Sequence, residues 1–270
     1  MKQFEGKVAV ITGSSRGIGK AIAIHLAKNG ASIVLNGRNQ ERLNQAQAEV
    51  EKHTDKVINF CCDVSSIEAS NELIQTAVAT FGKLDILVNN VGVSMRGNVA
   101  DLNPQVFQDV FSSNVYGTVN PTIPALKELR KTQGSVVFIS SLAGIRGLPA
   151  LSAYCSSKMA LRAVAESIRI EEHANNVHVG LILVGVTEIE HNKETIAADG
   201  SMKVLRSRKD RNVQTMDQVA ASVLKNIRRR KFITTLTGIG LVNKFMQARF
   251  PMLVEKIILK NLHKFEEANK

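Results

Sequence analysis

Tryptophan is absent from the 270 residues, tyrosine occurs twice, and aromatics make up 4% of the chain. Single-stranded nucleic acid is held on several stacked aromatic faces, so no nucleic-acid partner is expected. The three cysteines include an adjacent pair, Cys61 and Cys62. They offer no framework of bridges and suit a reducing compartment such as the cytosol. His25, His53, His173, His178, His191 and His263 show no metal-ligand spacing, and no metal site is expected. No apolar run reaches the roughly 18 residues that a spanning helix needs. The first apolar run, residues 8–11, is shorter than the roughly 7–15 residues of a secretory leader. A G-x-S-x-G nucleophile elbow is missing too, which removes the commonest hydrolase on an α/β sheet.

What is present is alternation. Short apolar runs at 8–11, 32–36, 57–60, 86–89, 136–139 and 177–183 read as strands buried on both faces. Longer amphipathic segments separate them, at about 17–29, 40–52 and 153–174, with a further helix at 216–229 and strand at 232–236. This order predicts an α/β fold: a single-domain, Rossmann-type, doubly wound parallel sheet with helices on both faces. Residues 1–250 form the expected catalytic domain. Residues 184–213 lose the periodicity and read as a loop over the substrate. At 251–270 a basic amphipathic helix places Leu253, Val254, Ile257, Ile258, Leu262 and Phe265 on one face and Lys256, Lys260 and Lys264 on another. It could belong to the domain, cover the pocket, join subunits or lie on a membrane surface.

The formal charge is +11, with five basic residues against one Asp at 203–211 and eleven against three Glu at 221–270. Such runs suit an anionic partner, with an ordinary solvated face as the plainer explanation.

The first strand runs through Thr12-Gly13-Ser14-Ser15-Arg16-Gly17-Ile18-Gly19 into a helix. Glycine permits the tight turn and lets backbone N–H groups at the helix start approach a pyrophosphate. Dinucleotide enzymes that take NAD carry an acid about 20 residues further on, for the ribose 2′-hydroxyl. Here the second strand ends Asn36-Gly37-Arg38-Asn39. Arg38 and Arg16 could instead grip a 2′-phosphate with planar donor forks, which favours NADP(H). Tyr154 and Lys158 stand four apart, on one face of a helix, where an ammonium draws a phenol down from its usual pKa of about 10.

The chain resembles the short-chain dehydrogenase/reductase family over residues 5–236. Thr12–Gly19, Asp63-Val64, Asn89-Asn90-Val91-Gly92, Asn114, Ser141, Tyr154 and Lys158 follow its motifs in order, with Val91 replacing the usual Ala. The resemblance implies reversible carbonyl–alcohol oxidoreduction, acting as a reductase on an apolar small molecule. Tyr154 is then the acid/base, Lys158 its support and a ribose contact, Ser141 the holder of the substrate oxygen, with Ser140 as competitor, and Asn114 the water-chain residue. Cofactor contacts fall on Gly13, Ser15, Arg16, Gly17, Ile18, Gly19, Arg38, Asn39, Asp63, Val64, Asn90, Val91, Gly92, Tyr154, Lys158, Val186 and Thr187. After the sixth strand, Val184-Gly185-Val186-Thr187 shortens the family's P-G-x-x-x-T. A homodimer or homotetramer is implied. Nucleotide sensing without catalysis, and epimerisation or dehydration, are the alternatives on this fold.

Substrate-side residues are expected near 94–98, 142–151 and 187–211, with Arg146 the one candidate for a carboxylate clamp. Glu188, Glu190 and His191 read as a solvated cluster in the loop.

Overall fold

The computed structural model describes residues 2–188, 193–205 and 213–263. Glu190, His191, the basic residues Arg206, Arg208, Lys209 and Arg211, Lys264 and Phe265 lie outside the described residues.

The chain begins β1 (Val8–Ile11), α1 (Gly17–Lys28), β2 (Ser32–Gly37), α2 (Gln40–Glu51), β3 (Val57–Cys61), α3 (Ile67–Phe81) and β4 (Ile86–Asn89). After β5 (Met95–Arg96) and α4 (Pro104–Phe111), a π-turn at Ser112–Tyr116 leads into α5 (Gly117–Thr132). Then come β6 (Ser135–Ser141), α6 (Ser152–Glu171), β7 (His178–Val184), β8 (Glu194–Ala197), β9 (Met202–Val204) and α7 (Met216–Arg229). The last elements are β10 (Ile233–Thr235), α8 (Gly238–Arg249) and α9 (Pro251–Lys260).

Seven strands form one parallel sheet in the order β10-β7-β6-β4-β1-β2-β3. The chain winds outward one way from β1 to β3 and the other way from β4 to β10, as the doubly wound reading predicts. Alternation within each strand feeds two cores. On β1, Ala9 and Ile11 meet Ile22 and Leu26 of α1 and Val219 and Val223 of α7. Val10 points the other way, to the layer of Leu73 of α3, Leu129 of α5 and Ala165 of α6. Full burial of such a side chain stabilises the fold by roughly 1.5–3 kcal/mol. Both faces are therefore covered, and the sheet leaves its ligand groove at the strands' carboxyl ends, where β1 and β4 diverge.

Most boundaries match the sequence reading within a residue or two. The sixth strand is shifted by one, to His178–Val184, and the fifth extends to Ser141. Within 184–213 the expected loop contains a hairpin, β8 antiparallel to β9, whose first strand pairs in parallel with β5. Two-residue pairing between Met95-Arg96 and Ile196-Ala197 joins positions a hundred residues apart, and no local pattern announces it.

Candidate active site

The glycine turn is held by its neighbours before any ligand arrives. Gly13 and Gly17 have φ of 61° and 60°, which a side chain would strain. A Cβ on Gly19 would collide with the Gly13 carbonyl oxygen, so α1 starts hard against the turn. Asn90 Nδ2 donates to the Thr12 and Gly13 carbonyls at 3.2 and 2.9 Å, and its backbone N–H donates to Thr12 Oγ1. No side chain caps α1 and no acid lies in its first turn. The helix start thus offers N–H donors and the positive end of its dipole to an anion.

Residues that the sequence spreads from Gly13 to Thr187 come together here in one cleft of about 620 Å³, a volume typical of small-molecule sites. Every proposed cofactor or catalytic residue lines it except Gly19 and Asn114. Gly19 lies beneath the turn. Asn114 is fully buried behind the wall.

At the adenosine end, Arg38 Nη1 sits 3.4 Å from Asp63 Oδ2, both well exposed. Burial would raise the Asp63 pKa, but Ser65 and Arg38 outweigh it and hold the carboxyl below its usual range. An exposed pair of this kind contributes little stability, so the Arg38 fork can turn to a phosphate at small cost. Asn39 accepts from Arg42 N at 2.8 Å and caps α2. Its role is to start that helix, which brings Arg42 to the groove as a third guanidinium. The sequence reading missed Arg42, although a cap followed by a cation in the first helical turn was visible there. It also missed Asn36, whose Nδ2 donates to the Phe60 and Cys62 carbonyls and ties β2 to the end of β3.

At the other end, Ser152–Glu171 carries Tyr154 and Lys158 on one face of α6. Lys158 Nζ lies 5.9 Å from the Tyr154 ring centre and donates to the Ile139 carbonyl at 3.1 Å. Burial, with Lys193 adding repulsion, pushes the Lys158 pKa down to about 8. A Cβ on Gly92 would lie 3.0 Å from that Nζ and 3.2 Å from Asn114 Oδ1, so any larger residue there would press on the lysine. Asn114 is clamped in the π-turn: Oδ1 accepts from Val93 N at 2.7 Å, and Nδ2 donates to Val93 O and to Ser157 Oγ. Thr118 Oγ1 donates to the Asn114 carbonyl at 2.8 Å. π-turns often mark functional positions within helices.

The two serines differ. Ser140 is buried and its hydroxyl donates to the Lys158 carbonyl at 3.1 Å, which occupies it in holding α6. Ser141 accepts from Ala143 N at 3.1 Å, and both serines line the cleft with Tyr154. Leu142, Leu148 and Leu151 form an apolar wall beside them. Val186 and Thr187 border the groove, pinned by pairing with Gln214. Arg96, Lys193 and Met216 also reach the lining.

Arg146 does not act as the clamp considered from sequence. Its guanidinium donates to Gln247 at 3.1 Å and lies 3.9 Å from Glu255, bracing the C-terminal helices. Glu188 Oε1 accepts from Met216 N at 2.7 Å and so belongs to the start of α7. His178 is buried between Ser135 and the Lys231 carbonyl. Among the described residues no group of His, Cys, Asp or Glu could hold a metal.

Residues 7–200 match the family model described as short chain dehydrogenase. The bovine (Bos taurus) 3-ketodihydrosphingosine reductase is 36% identical over 246 residues, which cover 87% of this chain and 72% of that one. An alcohol dehydrogenase of the archaeon Thermococcus sibiricus, solved with 5-hydroxy-NADP, superposes with a TM-score of 0.75 at 28% identity, over 85% of this chain and 95% of its own. A short-chain dehydrogenase/reductase of Burkholderia phymatum, solved with NAD, reaches 0.81 at 22% identity over 94% and 96%.

Proposed function

Because the chain belongs to the short-chain dehydrogenase family of oxidoreductases, we propose that it is an NADP(H)-dependent enzyme interconverting an apolar ketone and its secondary alcohol, working as a reductase. The observation that carries this reading is the buried ammonium of Lys158, held 5.9 Å from the Tyr154 ring at the end of a groove built for a dinucleotide.

Family members use nicotinamide cofactors, and one similar structure was solved with 5-hydroxy-NADP. Arg38, Arg42 and Arg16 around the adenosine end, with no acid closing β2, support NADP(H) here. The glycine turn and the uncapped α1 suit its pyrophosphate, and Lys158 its nicotinamide ribose. When bound, the cofactor supplies the hydride equivalent.

The chain's own groups handle the oxygen and the proton. Ser141 donates to the substrate oxygen and sets it beside Tyr154. The Tyr154 phenol gives that oxygen its proton, and takes one back in the reverse direction. Lys158 stabilises the phenolate by its charge, and Asn114 fixes the Val93 backbone and α6 behind it. Leu142, Leu148 and Leu151 favour an apolar substrate, and a similar protein is named 3-ketodihydrosphingosine reductase. Three free cysteines suit a cytoplasmic setting. Exposed Phe107, Tyr116, Ile123 and Met159 on α4–α6 suit a homo-oligomer.

The test is consumption of NADPH and of NADH over a panel of apolar ketones. NADPH is expected to be the better donor. Tyr154→Phe should lose about 10²–10⁴-fold in kcat while still binding NADPH by fluorescence titration. Tight cofactor binding with no turnover on any ketone would favour a nucleotide-sensing protein instead. A Tyr154→Phe variant that keeps its rate would remove the tyrosine from the chemistry.

A further inference from the structure

Helix α8 is packed inside out. The side facing the protein carries Gly240, where a Cβ would meet Leu142 at 2.8 Å and Thr237 at 2.9 Å, and Gln247, which binds Arg146. Its outward side carries Ile239, Leu241, Val242 and Phe245, each 56–64% exposed. A helix on a water-facing surface shows the reverse pattern. Helix α9 continues the same character: Leu253 and Ile257 are about half exposed, Met252 and Leu259 more so, and only Val254 and Ile258 are partly covered. Together they display more large apolar side chains than a monomer in water ordinarily tolerates in one place.

The charges choose the occupant. Between residues 238 and 263 stand Lys244, Arg249, Lys256 and Lys260 against a single acid, Glu255, which is engaged with Arg146. On α9, Lys256 and Lys260 are exposed between the apolar residues. A second copy docked about a twofold axis would set these cations against themselves. An anionic lipid surface matches both halves of the pattern, with apolar side chains entering the acyl boundary and cations remaining at the headgroups.

We propose that α8 and α9 seat the protein on an anionic lipid bilayer, with α8 as the inserting helix, and that the substrate ketone is drawn from that layer. The second half rests on the reductase reading above. Leu142 connects the two sites, because it meets Gly240 on one side and lines the cleft on the other. Arg146 holds Gln247 and Glu255 from the same wall segment, so both helices are tied to the mouth of the cleft.

The test mixes the full chain with vesicles of phosphatidylcholine alone, or with phosphatidylglycerol as roughly a third of the lipid, and measures flotation. Binding to the anionic vesicles, weakened by salt, is expected. L241E/F245E should weaken it by about tenfold or more, and K256E/K260E should abolish the preference for anionic lipid. Thermal melts confirm that both variants fold. With a ketone embedded in the vesicle, L241E/F245E should raise KM while leaving KM for a water-soluble ketone unchanged. Vesicle binding is read without turnover, so it stands even if the reductase reading fails. The proposal is overturned if the native chain ignores anionic vesicles, or if L241E/F245E binds them as well as it does. It is equally overturned if the native chain is a dimer that L241E/F245E splits without any vesicle binding, which gives the face to a second copy.

Discussion

Lys158 is a cation in a place that penalises cations. Burial, and then Lys193, lower its pKa from 10.5 to about 8. The folded lysine therefore loses its proton as pH rises past about 8, and with it the charge that steadies a Tyr154 phenolate. The expected consequence is a fall in kcat/KM for ketone reduction above about pH 8. Lys193→Gln should move that fall upward, because one of the two causes is gone. A pH–rate profile unchanged by the substitution would show that Lys193 does not act on the site. Arg38 and Arg42 carry a second prediction. A charge-assisted bond to phosphate contributes roughly 1.5–3 kcal/mol, so R38A/R42A should raise KM for NADPH by about tenfold or more with little change for NADH. Equal losses for both cofactors would assign the arginines to something other than a 2′-phosphate. Both sites draw on residues legible in the chain, Tyr154, Lys158 and Arg38. Arg42 follows a cap that is visible in the chain, but its relevance, like that of Lys193, depends on where α2 and the β8 hairpin lie.

Elements with a strong internal pattern could be read directly. Helix α7 falls at the expected residues, with a Thr215 capping box, and β4 likewise. Helix α5 is a different case, since Pro121 and Pro124 lie inside it. It is held at its C-terminal end: Gly134 N bonds the Leu129 carbonyl, and Arg130 forks onto Glu172 beyond the end of α6 at 2.9 and 2.6 Å. Glu172 is almost fully buried and its pKa is lowered, chiefly by the bond from Arg130. Arg130→Met would strand that carboxylate. A loss of roughly 2–3 kcal/mol is expected in urea unfolding, below the full value for a buried pair because Arg130 is half exposed. A midpoint within a few tenths of a kcal/mol of the parent would show that the fork does not tie α5 to α6.

For the whole molecule, acid sensitivity should have a defined source. His178 bridges β6, β7 and the segment before β10, and burial pushes its pKa from 6.5 down to about 4. The unfolded chain binds this proton first, so stability is whole above about pH 6.5 and drains away as pH falls towards 4. The shift corresponds to about 3 kcal/mol. Unfolding measured at pH 7 and at pH 4.5 should show the loss in the native chain and a smaller one in His178→Gln. Equal slopes in the two proteins would remove His178 as the cause. No described helix is long and apolar enough to cross a membrane, so the proposed seating on lipid rests on the exposed apolar side chains of α8 and α9.

Spacing along the chain by itself determined the alternation of strand and helix, the glycine turn at α1, the Tyr154–Lys158 face and the missing acid after β2. Each is a relation within one element or across one turn, where 3.6 residues per turn or a strand's alternation settles which side chains meet. Tertiary structure alone decided that the Ser140 hydroxyl is spent on the α6 backbone, which supports the sequence choice of Ser141, and that Arg146 braces helices rather than a substrate. It also decided that β8 pairs with β5, and that α8 turns its apolar side outward. Those relations join residues tens to a hundred positions apart, and sheet order and register, which no local pattern encodes, bring them together.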